Sequence, residues 1–138
     1  MSKKLLIVAL ALPLLMTAAA SAQSVHMKIT VPFNFIAVGT TLPAGEYEIQ
    51  STGAEDKVLV IRNRNSSQAV LVFSNSTQAL NASSSTKVVF HHYGSRYFLS
   101  ELWVEGDKLG HQVTPSSRET EVAMDASGSE VVLLMARR

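Results

Sequence analysis

The sequence predicts an all-β domain, an antiparallel β-sandwich or small barrel of about seven or eight short strands. Three observations carry this expectation. Apolar and polar residues alternate over several segments, turn-forming residues recur about every 8 to 12 positions, and no helix signal follows the first segment.

That first segment is an exception to the β pattern. Lys3 and Lys4 precede an apolar run from Leu5 to Met16 broken only by Pro13, and Ala20-Ser21-Ala22 before Gln23 fits the small-residue rule for cleavage. The run is shorter than the roughly 20 residues of a spanning helix, so residues 1–22 read as a cleaved signal peptide and 23–138 as a single β domain. Losing 22 of 138 residues leaves 116, and losing two lysines takes 12 basic residues to 10 against 11 acidic ones, a formal charge of −1. No later run is long enough to cross a membrane as a helix, so the mature chain is expected to be exported, to the periplasm or outside the cell, without a transmembrane segment.

From Val25 the pattern has period two. Val25, Met27, Ile29, Val31, Phe33 and Phe35 alternate with His26, Lys28, Thr30, Pro32 and Asn34, which describes a strand with one apolar face. Pro32 cannot donate to a ladder, so this strand belongs at an edge or carries a bulge. After the turn signals of residues 38–45, Glu46 to Gln50 resumes the alternation. Lys57 to Arg62 is apolar on both sides and reads as more central, and Gln68 to Phe73 as another short strand. Ser74 to Thr86 is rich in Ser, Thr and Asn and reads as the most mobile loop.

Lys87 to Tyr93 and Arg96 to Val104 form the clearest hairpin. Gly94-Ser95 is a two-residue loop with Gly first, as a type II′ turn prefers. In that register Phe90 faces Leu99 and Val88 faces Glu101. Leu109 to Val113 is a further strand, Arg118 to Met124 is ambiguous between a strand and a helical turn, and Glu130 to Met135 is apolar enough to pair back.

Taken in order, Val31-Pro32-Phe33-Asn34-Phe35, Leu42-Pro43-Ala44-Gly45-Glu46-Tyr47, Val60-Ile61-Arg62, Val89-Phe90-His91-His92-Tyr93-Gly94, Arg96-Tyr97-Phe98-Leu99-Ser100-Glu101-Leu102-Trp103 and Ser117-Arg118-Glu119 resemble an uncharacterised family of small exported β proteins abundant in Acidobacteria. The resemblance spans nearly the whole chain after residue 22. It implies a bacterial source and one β domain, and it carries over no activity, substrate or catalytic residue.

Composition narrows the chemistry. A near-neutral chain argues against a nucleic-acid binder, and zero cysteines remove disulfides, thiolate nucleophiles, thiolate zinc sites and a lipid-modified cysteine. His91 and His92 are adjacent on a strand and point to opposite faces, so they cannot share one ion; no metal site and no cofactor is expected. There is no G-x-S-x-G, and Ser100 in a strand lacks the sharp turn of a nucleophile elbow.

Glu101 is the unusual acid. Alternation sets it between Leu99 and Trp103 on the face of Phe90 and His92, where it either pairs with Arg62, Arg96 or Arg118 or acts in catalysis with His92. Tyr93, Arg96 and Tyr97 at the hairpin tip are the candidate binding residues, with Phe98 and Trp103 assigned to the core. The expected function is an exported, non-enzymatic binding or structural module of the cell envelope, whose partner is an envelope or extracellular component. The alternative is a small exported hydrolase using Glu101 with His92.

Overall fold

The computed structural model describes residues 24–126 and 128–138, so the expected signal peptide, residues 1–22, lies outside the described residues. Strand outweighs helix 55% to 11%, which makes the domain all-β as expected. Among the described residues there are ten strands: β1 His26–Val31, β2 Phe35–Ala37, β3 Thr40–Leu42, β4 Gly45–Thr52, β5 Val58–Asn63, β6 Ala69–Gln78, β7 Lys87–Tyr93, β8 Arg96–Trp103, β9 Leu109–Val113 and β10 Glu130–Met135. The one α-helix among the described residues, α1 Ser117–Asp125, separates the last two, and a 3-10 turn, Ala54–Asp56, precedes β5.

The strand count exceeds the sequence expectation for physical reasons. Exposed Pro32 ends β1, and the alternation that looked continuous resumes as the separate strand β2. Residues 38–45, read as turn punctuation, include the loop and second strand of the β2–β3 hairpin, whose loop residues Val38 and Gly39 both have positive φ (42° and 80°). β6 runs five residues beyond Phe73, so Ser74–Gln78, five of the thirteen residues of the expected loop, are strand.

That extension lets β6 join two halves of the sheet. Ala69–Phe73 pair with β5, continuing an antiparallel set ordered β1-β4-β5-β6, whereas Ser74–Gln78 pair with β9. β9 leads to β8, whose other neighbours are β7 along its length and β2, in parallel, at Phe98. β10 covers the far edge of β7. The sheet is not closed. Beside the gap, Lys28 N–H donates to the Arg137 carbonyl at 2.7 Å, and Arg137 N–H returns a bond to Lys28 at 2.9 Å.

The core lies between the two halves. Met27, Ile29 and Val31 from β1, Tyr47 and Ile49 from β4, and Leu59 and Ile61 from β5 meet Val88, Phe90, Leu99 and Leu102 from the hairpin. Phe35 links the halves, edge-on to Tyr47 at 5.1 Å and to Phe90 at 5.4 Å between ring centroids. Burial of each such large side chain contributes about 1.5–3 kcal/mol, so this cluster holds the curled sheet without disulfides.

The β7–β8 hairpin has the expected loop. Gly94 takes a positive φ (61°) and Ser95 does not, the pattern of a type II′ turn. Its register departs from expectation beyond Phe90↔Leu99: Val89 faces Glu101 and Val88 faces Leu102, leaving Ser100 as an extra residue in a β-bulge. This one insertion resets which side chains share the outer face.

Arg118 to Met124, ambiguous in sequence, lie within the helix α1, Ser117–Asp125. Ser116 is the N-cap, and its hydroxyl accepts from Glu119 N–H at 3.2 Å.

Candidate functional site

Because of the bulge, Ser100, Glu101 and Trp103 all belong to the outer side of β8, while Leu99 and Leu102 remain in the core. On β7, alternation brings Lys87, Val89 and His91 to the same outer side, and β10 adds Val131 and Leu133 opposite His91 and Val89. These three strands form the floor of a groove of about 470 Å³. Residues 79–84 form its wall.

The wall is stitched in place rather than free. Ala79 N–H donates to the Lys108 carbonyl at 2.8 Å, Ser83 N–H to the Asp107 carbonyl at 3.0 Å, and Gly106 N–H to the Ser83 carbonyl at 2.8 Å. The Ser/Thr/Asn-rich segment read as a mobile loop is thus bonded along one side to the turn before β9.

Trp103 is half-buried and lines the groove instead of filling the core. The cause is Gly110, its neighbour on β9. A Cβ built on Gly110 would lie 2.8 Å from indole carbons, so the ring lies flat against bare backbone. The ring packed in this way also lines the groove. The indole N–H donates to the Glu101 carboxylate at 2.8 Å, which fixes both groups at the groove's floor.

Glu101 therefore finds neither expected partner. Among the described residues no arginine lies within ion-pair distance of it. His92 is on the other face, stacked on Tyr97 at 4.0 Å and 3°, with its Nδ1 3.4 Å from the Glu130 carboxylate. Glu101 and His92, the pair of the hydrolase alternative, lie on opposite faces and are not brought together.

The hairpin-tip residues are placed unequally. Tyr97 has both ring faces covered, by His92 on one side and by Phe33 at 3.8 Å on the other. Tyr93 is half-buried, edge-on to Phe98 at 5.8 Å. Of the three, only Arg96 is exposed.

A polar chain not legible as a unit in the sequence runs from the groove to α1. Ser100 Oγ is 3.2 Å from His91 Nε2, and His91 Nδ1 is 3.4 Å from a Glu119 carboxylate oxygen and from the Tyr93 hydroxyl. Glu119 is only 5% exposed, and its carboxyl is held above the ordinary value of 4.5 by burial, with His91 and then Tyr93 opposing the rise. Burial, followed by the Glu119 charge, likewise raises the Tyr93 phenol. With Glu119 ionised, His91 Nδ1–H donates to it and Nε2 accepts from Ser100. The order Ser–His–acid is that of a nucleophilic relay. Ser100, however, is 5% exposed in a bulged strand, so the chain ties α1 to the sheet.

A second opening of about 190 Å³ lies at the gap beside β1, lined by Lys28, Glu46, Arg64 and Arg137 among others. It is smaller, and the aromatic residue that lines it, Tyr47, is only 1% exposed. No group of three or more His, Asp or Glu residues among the described residues is arranged to hold a metal ion. No helix among them is long and apolar enough to cross a membrane. Compared with known proteins, the chain matches no family model, no curated protein and no solved structure.

Proposed function

We propose that the protein is an exported, non-enzymatic binding module of the bacterial cell envelope, and that the groove over β7, β8 and β10 is its binding site. The observation that carries this reading is the indole of Trp103, packed on Gly110 and bonded to Glu101, lining a groove of ligand size. The export half rests on the sequence of residues 1–22 and on the resemblance to small exported β proteins.

Trp103 is the sole tryptophan, so emission reports directly on the site. Fractionated envelope extract titrated into purified protein should give a saturable change in emission, and protein recovered from a bacterial periplasm should begin at Gln23. An emission unmoved by every fraction would sink the binding reading. A cytoplasmic, unprocessed chain would sink export.

A further inference from the structure

Resting on that reading of the groove, we infer that its ligand is a neutral saccharide, one ring of which lies on Trp103. Strand pairing around Trp103 disfavours the commonest alternative there. β7 is paired on both edges, by β10 and β8, and β8 is paired by β7 and, at Glu101 and Leu102, by β9. Neither β7 nor β8 therefore has a free edge beside Trp103 to add an extended peptide by main-chain bonds, and the outer edge of β10 is separated from the indole by β7. Recognition at the indole must come from side chains.

Those side chains make a specific set. Trp103 offers a flat apolar face, which suits the C–H face of a pyranose ring. Beside it Glu101 keeps most of its acceptor positions after taking one bond from the indole. Lys87 directly faces Trp103 across the strand pair and has no ion-pair partner among the described residues. The floor thus holds an acceptor-only anion and a donor-only cation, neither matched by the other. A ligand of single charge meets repulsion from one of them. A hydroxyl donates and accepts, so neighbouring hydroxyls of one neutral sugar satisfy both.

Asn81, Ser83 and Ser84 on the wall add further groups able to bond hydroxyls, and Val131 and Leu133 on β10, 59% and 54% exposed, provide apolar contact for a substituent such as an acetamido methyl. The volume of about 470 Å³ is in the range of small-ligand sites, about 300–1,000 Å³.

The test titrates the purified protein with cellotetraose, maltotetraose and the N-acetylglucosamine tetramer, reading Trp103 emission and calorimetric heat. At least one saccharide should give a saturable shift, and Glu101→Gln and Lys87→Gln should each weaken it about tenfold, the usual cost of a lost bond to a charged group. Far-ultraviolet circular dichroism and melting check that both variants fold; if one does not, the other carries the test. No saturable shift with any saccharide, or shifts unchanged in the folded variants, overturns the saccharide. If alkyl glycosides of different headgroup or an extended hexapeptide bind while the tetraoses do not, the saccharide fails and the binding module stands. If envelope extract also leaves Trp103 unmoved, both fail.

Discussion

The indole of Trp103 lies across the backbone of Gly110, with ring carbons 2.8 Å from where a β-carbon would be. Those carbons belong to a rigid ring bonded to Glu101, so the ring cannot swing aside without breaking that bond. Gly110→Ala should destabilise the fold by about 1–3 kcal/mol, as overpacking does, and shift the emission of the sole tryptophan. Urea unfolding with both circular dichroism and emission checks this; unchanged stability would mean the indole does not rest there.

Val38 occupies the first loop position of the β2–β3 hairpin with φ 42°, a conformation that crowds a β-branched side chain. It is 47% exposed, so its side chain gains little from burial. Asn tolerates positive φ and precedes Gly in the favoured type I′ loop, so Val38→Asn should stabilise by about 1 kcal/mol. A lower melting temperature for the variant would contradict the loop geometry.

These two positions mark the boundary of what could be read in advance. The all-β class, the β7–β8 hairpin and the pairing back of β10 follow from alternation and turn chemistry, which are local. The bulge is not local: Ser100 is an ordinary strand residue in sequence, and only cross-strand packing decides that it is the inserted one. Glu101 changed faces for that reason, and with it the expected pairing with His92. Trp103 was placed in the core because its partner is a glycine on a different strand, seven residues on. The helix did have a signal. Ser116-Ser117-Arg118-Glu119 follows Pro115 and has the S-x-x-E spacing of a capping box, a signal that alternation alone does not carry.

His111 is partly buried on β9, with Ser74 Oγ 3.1 Å from its Nδ1, and burial lowers its pKa below 6.5 against the weaker pull of Asp56 and Asp107. The unfolded chain then takes up the proton first. Its contribution to stability is present above pH 6.5 and is lost as pH falls through the ordinary value towards the folded one. His111→Gln should flatten that part of the acid limb in denaturation from pH 7 to 5. An unchanged slope would mean that the imidazole is solvated.

Glu119 has the opposite sign. Its folded pKa is raised above 4.5, so the native state keeps its proton longer than the unfolded chain does. The contribution is fully present below pH 4.5 and declines as pH rises through the folded value, because ionisation leaves a charge against buried surroundings. Relative to Glu119→Gln, the wild type should lose stability as pH is raised from 4.5. A rising difference would show that His91 and Tyr93 stabilise the carboxylate more than burial opposes it.

Ser100 decides between a tether and a catalyst. Its hydroxyl is in reach of His91 Nε2 at 3.2 Å, and His91 is in reach of Glu119 at 3.4 Å, so the proton route of a serine hydrolase exists in outline. Attack also requires that substrate approach Oγ, and a side chain 5% exposed at a paired bulge gives little approach. Purified protein treated with an excess of a fluorophosphonate should therefore show no added mass, and Ser100→Ala should cost stability rather than reactivity. A single adduct, lost in both Ser100→Ala and His91→Gln while these variants remain folded, would instead establish a nucleophile and make the groove a substrate channel.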